Sequence, residues 1–152
     1  MTAIDFTEAL LSKRPVTVRR RVLWGECDPA AVVYTPRFAD YAASARDWFM
    51  REGLGFPDRP HPLRSGVIFP MRAMAFDFSG FLAADDLFDM VVGVTAISTR
   101  TFTVEIVASH LSGASAFVAT LTSVAVDSGT RKSVAIPANI RDALTAYSQG
   151  IL

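Results

Sequence analysis

The chain has one cysteine, Cys27, and two histidines, His61 and His110, in 152 residues. A single thiol forms no internal disulfide, so the fold must rest on its core, and a reducing compartment is expected. With so few soft ligands, a dedicated zinc site is not expected either. Charge of one sign is also missing. Lys plus Arg and Asp plus Glu number 15 each, which leaves no net field to draw nucleic acid or anionic membranes. No apolar run approaches the roughly 20 residues that span a bilayer. The first residues carry Asp5 and Glu8 and meet no Lys before Lys13, the reverse of a secretory signal. The expectation is a soluble cytoplasmic protein without metal or cofactor. Its 152 residues suit one domain, which buries roughly 70% of its unfolded surface.

The segment 5–11 reads as a short amphipathic turn or helix ended by Lys13-Arg14-Pro15, because proline disfavours helical geometry in the residue before it. It forms part of an N-terminal extension over 1–15. From 16 to 24 the residues alternate as in a strand, and Val16, Val18, Arg20 and Val22 share one side. After a turn-rich stretch, Thr35-Pro36 resembles a helix start, with Thr as N-cap and Pro at the first helical position. Nothing breaks a helix from Arg37 to about Glu52, and Gly53 and Gly55 supply its stop. Phe38, Ala42, Ala45 and Phe49 form its apolar stripe, and the small residues around them permit close approach to a sheet.

A Pro-rich loop containing His61 covers 54–65, and five strands are predicted after it, over 66–78, 86–98, 101–111, 114–126 and 131–136. Pro137 then opens a C-terminal helix within 137–152. One central helix followed by consecutive Val- and Phe-rich strands argues for an α+β domain with an antiparallel sheet, not a doubly wound one.

The run Trp24-Gly25-Glu26-Cys27-Asp28-Pro29-Ala30-Ala31-Val32-Val33-Tyr34-Thr35-Pro36 resembles the 4-hydroxybenzoyl-CoA thioesterase family. So do Ala45-Arg46-Asp47 with Phe49, Ala84-Asp85-Asp86-Leu87 and Ile136-Pro137, which extend the likeness over about residues 16–137. The resemblance implies a hotdog fold, a long helix wrapped by a curved antiparallel sheet. It also implies subunits that pair as dimers or tetramers and share their sites, and hydrolysis of a CoA thioester without a metal.

That chemistry needs a nucleophile or water-activating base and donors for the oxyanion. The chain has no Gly-x-Ser-x-Gly elbow and no Ser or Cys with an obvious His neighbour, so a carboxylate is the best candidate. Asp28 matches the family's catalytic aspartate, which attacks the thioester or activates water; in an arbitrary protein an Asp in such a loop is more often a turn or cap residue. Glu26 reads as a salt-bridged or solvated rim residue, Cys27 as a small buried hydrophobe, and the two histidines as structural or solvated. The oxyanion donor belongs among the unpaired amides of the helix start, and the N–H of Thr35 occupies the family's matching position.

For an apolar acyl group, aromatic or medium-chain, the pocket candidates are Tyr34, Phe69 and the small helix positions Ala39 and Ala43. The nucleotide phosphates of CoA require cations, and Arg100, Arg131 and Lys132 lie at turns or strand starts where long side chains reach out.

Three departures matter. The family's glycine after Asp-Pro-Ala is Ala31, awkward wherever a positive φ is required. Ala43 stands where the 4-hydroxybenzoyl enzyme has an aspartate for the substrate phenol, and Asp40 lies one helical turn away. Related thioesterases of the Tol-Pal-associated group carry a histidine at the position of Thr35. Two rival readings remain: a non-catalytic acyl-CoA binding protein that kept the pocket, and an acyl thioester hydratase or dehydratase.

Overall fold

The computed structural model describes residues 6–55 and 66–150. Its first element corrects the sequence reading, because Glu8 to Leu11 lie in a strand, β1 (Glu8–Lys13), and not in a helical turn. The turn at Arg14-Pro15 folds β1 back on β2 (Val16–Arg21), pairing Glu8 with Arg20 and Lys13 with Val16. Strand pairing outweighs local helical patterning here because β2 would otherwise expose a ladder of backbone groups.

A short 3-10 turn, Trp24–Glu26, begins the connection to α1 (Arg37–Trp48). Here the expected cap shifts by one residue. Pro36 is the N-cap, already in helical geometry, and no side chain caps the helix, so Thr35 does not serve as N-cap. The helix loosens into a π turn, Phe49–Gly53, where the Leu54 amide donates to the Phe49 carbonyl at 3.0 Å, and Gly55 ends it at φ +78°. Gly53 is required by contact as well. A Cβ there would lie 2.8 Å from Val16 Cγ2 and 3.1 Å from the rings of Phe49 and Tyr147.

The next expected strand is broken at Phe69-Pro70 into β3 (Val67–Ile68) and β4 (Met71–Phe78). The meander continues through β5 (Leu87–Ile97), β6 (Thr101–His110) and β7 (Ser115–Val124). The expected last strand over 131–136 is absent. β8 (Val126–Asp127) pairs with β3, Ser133 makes one isolated bridge to Val126, and the chain then reaches α2 (Ala138–Ser148). Arg131 at φ +61° explains the loss, since a left-handed residue interrupts a strand.

The large sheet is wholly antiparallel, in the order β1-β2-β5-β6-β7-β4. Its inner face contributes Val16, Val18, Phe88, Met90, Val92, Phe102, Val104, Ile106, Phe117 and Leu121, and α1 lies against it through Phe38, Tyr41, Ala42, Ala45 and then Phe49. The stripe expected from helical spacing is thus the buried face. Each large side chain buried there contributes about 2 kcal/mol. α2 closes one side through Tyr147, whose hydroxyl accepts from the Val16 amide at 2.8 Å and donates to the Val92 carbonyl at 2.6 Å. A helix held by one curved antiparallel sheet is the arrangement the resemblance implied. No helix among the described residues is long and apolar enough to cross a membrane.

Candidate active site

The loop between β2 and α1 is fastened at both ends. Val22 exchanges strand-like bonds with Asp85 and Asp86, its amide donating to the Asp86 carbonyl and the Asp85 amide donating to the Val22 carbonyl, each at 2.9 Å. Past them Glu26 is 9% exposed, and its carboxylate is fully engaged. Oε1 accepts from the Leu23 amide at 2.8 Å and the Tyr41 hydroxyl at 2.9 Å, while Oε2 accepts from Arg20 at 2.6 Å. Arg20 also lies 5.0 Å from the centre of the Tyr41 ring and reaches Glu8 at 3.3 Å. Glu8 in turn accepts from Ser44 and Trp48 of α1 at 2.5 and 2.6 Å. Burial and the Glu26 carboxylate push the Tyr41 phenol well above its ordinary pKa, so it stays a donor. Glu26 is therefore a buried anchor, and its own carbonyl accepts from the Tyr34 amide at 2.9 Å, next to the helix start.

The signal for this network was present in the sequence. Arg20 shares the apolar side of β2 with Val16, Val18 and Val22, and a buried guanidinium requires an anion.

Asp28 stands two residues beyond Glu26 in a different situation. Its carboxylate is half-buried, and Oδ1 accepts from the Ala30 amide at 2.8 Å in an Asx turn. Its backbone amide and carbonyl bond Val32 and Ala31, each at 2.9 Å. No partner among the described residues takes Oδ2. The tight turn places Ala31 at φ +65°, the conformation that its usual glycine adopts freely. Beside it opens a cavity of about 390 Å³ lined by Trp24, Cys27, Asp28, Pro29, Ala31, Ala83 and Ala84. Partial burial pushes the Cys27 thiol up, and the charges of Glu26 and Asp28 add to this. It is a protonated, weakly bonded group and no activated nucleophile.

At the helix start the backbone donors are nearly used up. Tyr34 donates to Glu26, Pro36 has no N–H, and Arg37, Phe38 and Ala39 donate to the carbonyls of Tyr34, Thr35 and Pro36 at 2.8, 3.2 and 3.2 Å. Only the Thr35 amide has no acceptor among the described residues. Tyr34 is 55% exposed alongside, and Ala39 and Ala43 are half-buried on α1.

The other predicted residues lie elsewhere. The Phe69 ring packs 5.7 Å from Phe102, its carbonyl held by the buried Arg46 at 2.6 Å. Arg100 bonds the carbonyl and hydroxyl of Ser133 at 2.9 and 2.8 Å, beside the exposed Arg131 and Lys132. This is the far end of the sheet. Leu87 of β5 adjoins the Asp28 loop and Ile97 adjoins Arg100, and ten residue steps of strand separate them by roughly 33 Å. Within one chain the structure thus gathers Asp28, Thr35 and Tyr34 at one end and Phe69, Arg100, Arg131 and Lys132 at the other. His110 pairs with Phe88 in the sheet, and His61 lies outside the described residues. Among the described residues no three His, Cys, Asp or Glu side chains converge as metal ligands.

The sequence pattern of the thioesterase-like superfamily matches residues 22–144. Several solved structures share the fold. A gentisyl-coenzyme A thioesterase superposes with a TM-score of 0.75 at 21% identity, over 84% of this chain and 98% of its own. A 1,4-dihydroxy-2-naphthoyl-CoA thioesterase from Synechocystis gives 0.73 at 22%, over 85% and 94%. A hypothetical protein from Aquifex aeolicus gives 0.75 at 26%, over 86% and 99%. No curated protein sequence matches the chain.

Proposed function

This chain belongs to the thioesterase-like superfamily, and from that premise we propose that it hydrolyses the thioester of an apolar or aromatic acyl-CoA. The observation that carries the reading is a pair: the open carboxylate oxygen of Asp28 at a cavity, and the Thr35 amide left free at the start of α1. Asp28 attacks the thioester carbonyl or takes the proton of an attacking water. The carbonyl oxygen becomes an oxyanion, which the Thr35 N–H and the positive end of the helix dipole stabilise. Collapse expels the CoA thiolate, which gains a proton; after attack by water it leaves the free acid, and after attack by Asp28 it leaves a mixed anhydride that a water molecule then hydrolyses to the free acid and the Asp28 carboxylate. One such oxyanion donor is worth on the order of 3 kcal/mol.

The separation between Asp28 and the cations supports a homodimer. β4 is an edge strand that exposes Met71, Met74 and Phe78, and apolar side chains on an unpaired edge invite a partner strand. Two copies of β4 running antiparallel about a two-fold axis place Met71 of one beside Phe78 of the other. Arg100, Arg131, Lys132 and Phe69 of one subunit then stand at the Asp28 end of its partner, where the cations serve the nucleotide and Phe69, with Tyr34, Ala39 and Ala43, contacts the rest of the substrate.

Release of free thiol by the purified protein over a panel of acyl-CoAs tests the reaction. Turnover that disappears in Asp28→Asn supports it. Absence of turnover on every thioester, or unchanged turnover in Asp28→Asn, removes it, and tight acyl-CoA binding without turnover leaves a binding protein.

A further inference from the structure

The cavity beside Asp28 has a wall that the reaction itself does not use. Trp24 leaves 71% of its surface exposed, yet its indole is held: Nε1–H donates to Asp85 Oδ2 at 2.9 Å. Asp85 is itself fixed at φ +69°. Its amide donates to the Val22 carbonyl at 2.9 Å, and the turn around it is closed by the Ala83 amide donating to Asp86 Oδ2 at 2.8 Å. Across the cavity Ala31 stands at φ +65°. Of the three described residues other than glycine with positive φ, one lines this cavity and a second holds its tryptophan. Backbone strain persists where the surroundings impose it, and it collects around ligand sites. A pinned, exposed indole between two strained turns is a built surface.

We propose that the indole face of Trp24, with the methyl groups of Ala31, Ala83 and Ala84, forms a subsite for a flat hydrocarbon acyl group without ring hydroxyls, whose carbonyl end lies toward Asp28. At about 390 Å³ the cavity is near the lower end of the roughly 300–1,000 Å³ typical of ligand pockets, which suits one ring or a compact bicycle. The wall is apolar, and its side-chain polar groups are the Asp28 carboxylate and the Cys27 thiol. A ring hydroxyl placed against the methyl groups would give up water for no partner, a penalty on the order of tenfold or more in affinity. An aromatic acyl group instead stacks on the indole. The inference deepens the thioesterase reading for the reaction, but binding tests it separately.

The experiment measures binding of CoA, benzoyl-CoA, 4-hydroxybenzoyl-CoA and hexanoyl-CoA by calorimetry and tryptophan fluorescence in the Asp28→Asn protein, which keeps the thioesters intact. The same titrations follow with Trp24→Ala, Trp24→Phe or Asp85→Ala added. Benzoyl-CoA is expected to quench the emission and to bind best. Trp24→Ala weakens it on the order of tenfold and removes the quench, with CoA itself changed less than about twofold. Trp24→Phe restores most of the affinity, and Asp85→Ala falls between. Equal losses for CoA and benzoyl-CoA, no loss at all, or equal affinity for the hydroxylated ring overturns the subsite. Because Trp24 is so exposed, a melting temperature that matches the parent protein shows that Trp24→Ala is folded. The two readings fail separately: benzoyl-CoA binding of this pattern without turnover by the parent protein removes the reaction and keeps the subsite. Turnover with KM for benzoyl-CoA unchanged in Trp24→Ala keeps the reaction and removes the subsite.

Discussion

The two ends of the sheet are built on opposite principles. At the Asp28 end the exposed groups are largely apolar, with Trp24, Tyr34, Phe78 and Phe81 turned outward, and the backbone carries strain at Ala31 and Asp85. At the other end the exposed groups are cations; Arg131 there is left-handed as well, at φ +61°, in a turn tied by its own bonds. Asp127 there accepts from the amides of Gly129 and Thr130 at 2.9 and 2.7 Å, which holds its carboxyl below the usual range. Arg141 braces the β5–β6 turn through the carbonyls of Ser98 and Thr99. One end offers a shaped apolar recess with a single open carboxylate; the other offers positive charge. An acyl-CoA has the same polarity, an acyl head and a polyanionic tail, but it needs both ends at one place. The antiparallel edge strand β4 supplies a way to bring them together.

The largest effect expected from breaking this division is at Asp28. Asp28→Asn keeps the Asx turn to Ala30 and removes the reactive oxygen, so kcat in thiol-release assays falls on the order of 10³-fold. Next comes the test of the two ends in trans. A triple variant, Arg100→Glu, Arg131→Glu and Lys132→Glu, is expected to be inactive by itself, as is Asp28→Asn. Mixing the two by refolding together restores up to about a quarter of the parent activity, because half the dimers are mixed and each mixed dimer keeps one intact site. No recovery in verified mixed dimers places the cations and Asp28 in separate roles.

Glu26 sharpens the contrast at the Asp28 end, where rigidity lies two residues from an open carboxylate. Glu26→Ala leaves Arg20 without its closest anion and Tyr41 without its acceptor, and urea unfolding is expected to show a loss of about 3 kcal/mol. Ala31→Gly works the other way. Relief of a left-handed alanine is worth about 1 kcal/mol and the extra freedom of glycine takes back part of it, for a net gain of about 0.5 kcal/mol in the same measurement.

The smallest effect concerns Cys27. Its thiol is held protonated by burial and by the neighbouring carboxylates, so alkylation of the folded protein rises at a higher pH than that of an unfolded control. The sign for stability follows: a folded-state pKa above the unfolded one gives a contribution that is complete below the unfolded value and fades as pH rises through the folded one. Alkylation curves that coincide would remove this assignment.

Much of the fold was legible in the sequence, because helix and strand periodicities are local. The stripe Phe38, Ala42, Ala45 and Phe49 named the buried face of α1, and the strands β5, β6 and β7 fell within two residues of their expected limits. The errors came where pairing partners decide the outcome. Glu8 to Leu11 carry helical spacing but add a strand to β2, and the segment 131–136 carries strand residues but, after the left-handed Arg131, keeps only an isolated bridge from Ser133 to Val126. At the site the loop motif picked out Asp28 and the matching position of Thr35. That the Thr35 amide, at the helix start, has no acceptor among the described residues depends on the bonds of Tyr34, Arg37, Phe38 and Ala39.

The amino-acid sequence by itself determined the candidate reactive carboxylate, the helix that follows it and the order of the strands, since these depend on residues within a few positions of each other. It also supplied every cation proposed for the nucleotide. Only the tertiary structure decided that Glu26 is buried and bonded while Asp28 keeps one oxygen open, and that Ala31 and Asp85 take left-handed conformations around a pinned Trp24. Only it placed the cations at the opposite end of β5 from Asp28. Charge and hydrophobicity are written along the chain, but burial, strain and separation arise from contacts between segments far apart in it, and no local pattern encodes them.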